Sequence, residues 1–274
     1  MAAPDGSHVL ALLAQLAPAP RNVVANVARV VRAVRERPDA DLAIFPELFL
    51  GGYTIDGLDE LALAPDSQPL QAIADAAAAT RTAVIVGFAE RRPDGIANAL
   101  ACIDAGGGLE GVYRKTHLFG AESEVFIAGD EQLVVTLAGA LIGPLICFDA
   151  EFPEPARAVA RAGADLLVTA SANMSPYWAD HRLAARARAL DNRLPHLYVN
   201  RVGSESGHRF VGGTRAVAAD GSVVIEASDE HEELLVTTVG TADRPAPSVD
   251  YLRHSRGELP VRSPVPSSPS GGSP

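Results

Sequence analysis

Leu141-Ile-Gly-Pro-Leu-Ile-Cys147-Phe-Asp-Ala-Glu-Phe-Pro-Glu154 is an apolar run that stops at a thiol and turns acidic within two residues. An uninterrupted apolar stretch of this length reads as a strand buried on both faces. Pro153 and Pro155 then open a helix, because proline is tolerated in a first helical turn. A strand feeding a helix with a nucleophile at the junction is the signature of an α/β protein whose chemistry sits at strand ends. The helix N-terminus that follows is expected to favour the thiolate of Cys147. The backbone N–H of Phe148 is expected to donate to an oxyanion beside the sulfur.

The same alternation extends in both directions. Strands are expected at 8–16, 42–45, 83–88, 165–170 and 195–200, and helices at 21–37, 69–80, 153–162 and 178–192. A hairpin is expected across Gly106-Gly107-Gly108, joining 98–104 to 111–114, and another turning at Asp220-Gly221 within 214–225. Strands at 134–137 and 141–147 complete a mixed sheet covered by helices. This pattern is equally compatible with an ordinary three-layer α/β protein. The chain divides into one domain, residues 1–257, and a Pro/Ser/Gly-rich segment, 258–274, expected to be a disordered tail.

The 274 residues carry 23 Lys and Arg against 34 Asp and Glu, a formal net charge of −11. That balance argues against a nucleic-acid binder or a polybasic membrane module. Two cysteines cannot build a disulfide framework and suit a reducing compartment. The N-terminal residues show no basic region before an apolar stretch, so a cytoplasmic protein is expected. No His/Cys spacing suggests zinc, and no metal or cofactor is expected.

Two further strand ends carry reactive groups. Glu47 follows Leu42-Ala-Ile-Phe-Pro46 and precedes Leu-Phe-Leu-Gly-Gly-Tyr53, an apolar setting that suits a carboxylate to proton transfer. Lys115 lies in Tyr113-Arg-Lys-Thr-His-Leu118. Alone, each has an ordinary reading as a solvated charge, and Cys102, mid-strand in Ala-Leu-Ala-Cys-Ile, reads as a structural thiol.

In this order, the segments Phe45–Tyr53, Tyr113–Leu118 and Cys147–Glu154 resemble the nitrilase superfamily of carbon–nitrogen hydrolases. The resemblance covers about residues 8–239, with Gln15, Asn26, Asn98, Arg188-Ala-Leu-Asp-Asn192 and Asn200-Arg-Val-Gly203 as supporting matches. It implies a four-layer αββα sandwich, a homodimer or higher homo-oligomer built through outer helices, and no cofactor. It also implies a Glu47–Lys115–Cys147 triad acting through a cysteine acyl-enzyme, with the Phe148 N–H at the oxyanion. A second glutamate of the family pattern maps onto Glu122 in Glu122-Ser-Glu-Val-Phe126, with Glu124 as its competitor. The acyl-binding wall maps onto Tyr53, Phe119, Phe148, Asn173, Met174 and Trp178.

The motif Cys-Phe-Asp-Ala-Glu-Phe-Pro-Glu is similar to that of small-amide hydrolases, so the substrate expected is a small carboxamide, cleaved to carboxylate and ammonia. Asp149, Glu151 and Glu154 suggest an acidic mouth favouring amides that bear an ammonium group. Alternatives are an N-carbamoyl amine or amino acid hydrolase and, in a different class, a catalytically silent binding or scaffolding relative.

Overall fold

The computed structural model describes residues 8–241, 251–256 and 260. The expected tail 258–274 and the boundary at 257 therefore lie, Pro260 apart, outside the described residues.

Strands β1 (His8–Gln15), β2 (Leu42–Ile44), β3 (Ala83–Arg92), β4 (Gly95–Ile103) and β5 (Leu109–Arg114) come first in the chain. Interleaved with them are helices α1 (Val23–Glu36), α2 (Leu58–Leu61) and α3 (Gln68–Thr80), and α4 (Glu122–Val125) follows. The second half holds β6 (Val135–Leu137), β7 (Ala140–Ile146), a 3-10 turn Cys147–Glu151, α5 (Pro153–Arg161), β8 (Leu166–Ser171), α6 (Trp178–Asn192) and β9 (His196–Asn200). It ends with β10 (Val202–Glu205), β11 (His208–Val211), β12 (Arg215–Val217), β13 (Val223–Glu226), β14 (Glu233–Gly240) and α7 (Tyr251–His254). One six-stranded sheet has the order β14-β1-β2-β3-β4-β5 and the other β13-β12-β9-β8-β7-β6, with β10-β11 as a separate ribbon.

The two sheets pack face to face, and the alternation within β1 shows why its residues are apolar throughout. Val9, Ala11 and Leu13 join Ile142, Ile146, Val168 and Val199 in a core between the sheets. Leu12 and Ala14, on the opposite face, pack with Val30 and Val34 of α1 and Ile73 and Ala77 of α3. Period-two strands with both faces apolar must be covered twice. On the far side, Ala156, Val159 and Ala160 of α5 cover Leu145 and Leu167. The layers therefore run helix, sheet, sheet, helix: the four-layer sandwich rather than the three-layer alternative.

Most expected elements are present, with informative differences. β3 continues to Arg92 because Glu90 stays buried, paired with Arg114 at 2.6 Å, although the apolar pattern stops at Ala89. β14 pairs antiparallel with β1 over its whole length, yet its sequence is too short of turn signals to announce it. The β10–β11 ribbon is polar and Gly-rich, and is anchored by the buried Arg201–Glu205 pair and by Phe210. Cys102 is wholly buried between the sheets, where burial pushes its thiol up to about 12.

Gly87 explains how the Glu47 loop fits on this frame. A Cβ there would lie 2.3 Å from the Pro46 carbonyl oxygen and 2.4 Å from the Leu48 nitrogen, so β3 passes directly beneath the loop. Among the described residues, no helix is long and apolar enough to cross a membrane.

His196, at the start of β9, is fully buried, with Nε2 2.7 Å from Thr169 Oγ1 and Nδ1 2.9 Å from the Ala185 carbonyl. Burial lowers its pKa from 6.5 to about 4, against the pull of the Ala185 carbonyl. Protonation thus favours the unfolded chain, so this contribution is complete above about pH 6.5 and is lost as pH falls toward 4. Thermal melts should show stability falling over that window by up to roughly 3 kcal/mol from this residue. In His196→Gln that part of the slope should vanish; an unchanged slope would assign it to other groups.

Candidate active site

Glu47, Lys115 and Cys147 come from separate strand ends, after β2, β5 and β7, and the sheet packing brings them into one buried cluster. Lys115 Nζ is 2.7 Å from Glu47 Oε1, and 2.9 and 2.7 Å from the two oxygens of Glu122. All three side chains are at most 1% exposed. Glu124, two residues on, is exposed, so the buried second glutamate is Glu122.

Every oxygen of this pair of carboxylates is occupied. Glu47 Oε1 also accepts from Asn98 Nδ2 at 2.7 Å, and Oε2 from the Ala172 N–H at 2.8 Å. Glu122 Oε1 accepts from the Tyr53 hydroxyl at 2.8 Å and Oε2 from the Phe119 N–H at 2.9 Å. Burial alone would lower the Lys115 pKa, but Glu47 and Glu122 outweigh it and hold the ammonium charged well above its usual range. Burial, with Glu47 nearby, raises the pKa of Glu122 although Lys115 opposes this. Burial and then the charge of Glu47 push the Cys147 thiol well up, while Lys115 works in the opposite direction. This corrects the expectation of a thiolate favoured by the following helix. The sulfur is desolvated, and it sits at a five-residue 3-10 turn with α5 starting only at Pro153. A base is therefore needed to ionise it.

Cys147 has φ +46°, a left-handed conformation that a side chain adopts at a cost of about 1–3 kcal/mol. Asp149 holds the chain there. Fully buried, its Oδ2 accepts from the Ile146 N–H at 3.0 Å and the Tyr113 hydroxyl at 2.8 Å. Its Oδ1 accepts from the N–H groups of Thr116 and His117 at 3.2 and 2.9 Å. One carboxylate thus clamps the residues flanking Lys115 to the turn that carries Cys147. Asp149 is accordingly not part of an acidic mouth, and Glu154 is exposed and lines a separate cavity with Thr116 and His117. Of the three expected carboxylates only Glu151 reaches the cavity over Cys147, and it lies 3.0 Å from His181 Nε2.

That cavity is small, about 20 Å³, and is lined by Tyr53, Phe119, Phe148, Asn173 and Met174. A roomier outer cavity of about 270 Å³ shares Tyr53, Phe119 and Met174 with it and adds Asp56 and His208. Trp178 is a correction: it is 47% exposed, with the Arg182 guanidinium 4.9 Å above its ring. Tyr177 lines the cavity instead, edge-on to Phe119 at 5.3 Å. A further cavity of about 150 Å³ beside Pro195 and Thr238 has no ionisable lining group among the described residues.

The supporting sequence matches hold loops in place. Gln15 bonds the Thr214 N–H at 2.9 Å, Asn26 bonds Ala19 and Leu50, and Asn200 Oδ1 takes the Asn173 N–H at 2.8 Å. Ser171, Tyr198 and His181, which sequence spacing did not single out, also surround the sulfur: Ser171 Oγ lies 3.3 Å from Cys147 Sγ.

Residues 10–244 match the family model described as carbon–nitrogen hydrolase. The chain is 42% identical over 237 residues to a hydrolase encoded in the pqqF 5′ region of Pseudomonas protegens, covering 85% of this chain and 82% of that one. It is 35% identical over 248 residues to an (R)-stereoselective amidase from a Pseudomonas species, covering 89% and 90%. It superposes, with TM-score 0.80 and 25% identity over 93% of this chain and 97% of the other, on a glutamate-to-glutamine variant of the amidase from Nesterenkonia sp. AN1. That structure shows the acetamide moiety of fluoroacetamide added covalently at the active-site cysteine.

Replacing Asp149 by Asn turns one acceptor into a donor facing buried N–H groups. Urea denaturation of Asp149→Asn should show a loss of about 2–4 kcal/mol. Amide turnover should fall with it, whereas a stability within 0.5 kcal/mol of wild type, roughly a neutral surface substitution, would refute the clamp.

Proposed function

The chain belongs to the carbon–nitrogen hydrolase family, and from that membership we propose that it hydrolyses a small carboxamide to the carboxylate and ammonia. The observation that carries this reading is a buried ammonium shared by two carboxylates beside a desolvated thiol, opening on a cavity of about 20 Å³. In the proposed sequence Glu47 takes the Cys147 proton and the sulfur attacks the amide carbonyl carbon. Lys115 and the Phe148 N–H hold the oxyanion of the tetrahedral intermediate. As that intermediate collapses, Glu47 passes its proton to the departing ammonia, leaving a thioester on Cys147. Glu47 then takes a proton from water, whose oxygen attacks the thioester, and the carboxylate leaves as the thiol is restored. Glu122 keeps Lys115 charged and aimed.

A small aromatic-walled chamber suits a short acyl group, with the outer cavity taking whatever extends beyond it. Among the described residues lining either cavity there is no arginine to grip a carboxylate bidentately, which favours a simple amide over an N-carbamoyl amino acid. Glu151 leaves one carboxylate, already paired with His181, to attract an ammonium-bearing amide. A homodimer through outer helices is supported by Leu183 and Leu190, 69% and 37% exposed and seven residues apart on α6. Sedimentation of Leu183→Glu should then show a shift toward monomer; an unchanged sedimentation coefficient would move the interface elsewhere.

The decisive assay is ammonia release from a panel of aliphatic amides, amino-amides and N-carbamoyl amines. Short aliphatic amides should be cleaved, with amino-bearing amides of equal length at most a few-fold faster. Cys147→Ala should lower release by at least about 10⁴-fold, the scale expected when one member of a unit is lost. Carbon dioxide formed together with ammonia would favour the carbamoyl reading, and no release from any substrate would favour a silent relative.

A further inference from the structure

Arg201, in the segment Asn200-Arg-Val-Gly203, is only 1% exposed, and no step described above uses it. Its Nη1 lies 2.5 Å from Glu205 Oε2 at the end of β10, and its guanidinium stacks on the Phe210 ring at 3.9 Å. Among the described residues, Arg201 Nε and Glu205 Oε1 are buried without a hydrogen-bond partner. Burial pulls the Arg201 pKa below its ordinary value, with Glu205 and then Glu47 opposing this. A buried ion pair of this kind adds little stability over apolar side chains of similar volume, so stability alone does not account for it.

What Glu205 holds does account for it. Its Oε2 also accepts the Tyr53 N–H, at 3.1 Å. Gly52, at φ +86°, makes the approach possible, because a Cβ there would overlap the same carboxylate. The Tyr53 ring packs edge-on to Phe210 at 5.6 Å, and its hydroxyl donates to Glu122 Oε1 at 2.8 Å. That oxygen lies 2.9 Å from Lys115 Nζ. Tyr53 is thus pinned at its backbone by one buried ion pair and at its hydroxyl by another. The tie also joins the two halves of the chain, since the Tyr53 loop follows β2 of the first sheet and the β10–β11 ribbon follows β9 of the second.

We propose that the Arg201–Glu205 pair is a positioning device for Lys115: it fixes the Tyr53 backbone, so that the Tyr53 hydroxyl holds Glu122, and Glu122 the ammonium, where the oxyanion forms. Arg201 and Glu205 touch no reacting atom and are positioning residues. Glu205 supplies the acceptor, and Arg201 neutralises it so that a carboxylate can stay in the interior. The inference rests on the reading of Lys115 as the cation that stabilises the tetrahedral intermediate. An ammonium held slightly out of place weakens an interaction made chiefly in the transition state, so the loss falls on kcat rather than on KM.

Two double variants separate positioning from the charges themselves. Arg201→Met/Glu205→Leu removes both charges together and takes the acceptor from the Tyr53 N–H. Arg201→Met/Glu205→Gln removes the same charges but leaves an amide oxygen to accept it. On a short aliphatic amide the first should lower kcat about tenfold with KM within about twofold of wild type, and the second should recover most of that loss. Tyr53→Phe combined with the first should be no slower than the slower parent, because both changes interrupt one series. In protein labelled with 3-fluorotyrosine, the fluorine resonance of Tyr53 is identified by its loss in Tyr53→Phe. It should differ between the two double variants and lie closer to wild type in the second, with the Tyr113 resonance unmoved. Equal kcat values in the two double variants, superimposing Tyr53 resonances, or a Tyr53→Phe combination slowed by the product of the separate effects would each overturn the positioning role. The resonance is read without substrate, so the tie to Tyr53 is decided independently of turnover. Wild-type protein that cleaves no amide, or hydrolysis surviving in Cys147→Ala, would sink the hydrolase reading instead.

Discussion

Everything in this site depends on keeping one ammonium charged without water. Lys115 is wholly buried, and an isolated cation in that position would have an effective solvation penalty of several kcal/mol. The two carboxylates within 2.9 Å of Nζ offset that penalty, but only because their own oxygens are satisfied by Asn98, Ala172, Tyr53 and Phe119. The arrangement is therefore closed: no member can be taken away without leaving a buried charge or donor unpaired. Such a network is a poor source of stability and a good source of geometry. Its reward is a fixed positive charge next to a sulfur whose surroundings otherwise favour the neutral thiol.

The frame serves this constraint at a distance. Gly87 gives up its side chain so that the Glu47 loop can lie on β3, and Asp149 ties the Lys115 segment to the Cys147 turn. Gln15 and Asn200 fasten the loops that close the same end of the sandwich. These residues touch no reacting atom, yet their hydrogen bonds set where the reacting atoms stand.

Much of this was legible in the chain itself. Glu47, Lys115 and Cys147 stand where apolar runs break, and doubly apolar strands required covering on both faces, although what covered them was open. Glu122 and Glu124 could not be separated, because a two-residue shift on a short helix decides which carboxylate turns inward. Tyr177 and Trp178 posed the same problem at the start of α6. Asp149 was misread because a carboxylate beside a nucleophile looks like a mouth residue until its donors, from segments over thirty residues away, are seen. Ser171, Tyr198 and His181 belong to three different elements and align only after β8, β9 and α6 pack.

The distances along the chain between partners also bear on how the molecule is made. Glu47 bonds Lys115 across 68 residues and Ala172 across 125, and Gln15 bonds Thr214 across 199. Contacts of such high order form late, after each sheet has assembled its local hairpins and crossovers. Closure of the cluster is thus tied to the docking of one sheet on the other, since Glu47 and Lys115 follow strands of the first sheet, whereas Cys147 and the Ala172 N–H that binds Glu47 follow strands of the second. A nascent or refolding chain would acquire its helices and strands well before it acquired a reactive thiol, so half-assembled molecules would carry a largely protonated cysteine. Late closure of the cluster in this way doubles as a safeguard, keeping the nucleophile quiet until there is a finished cavity around it.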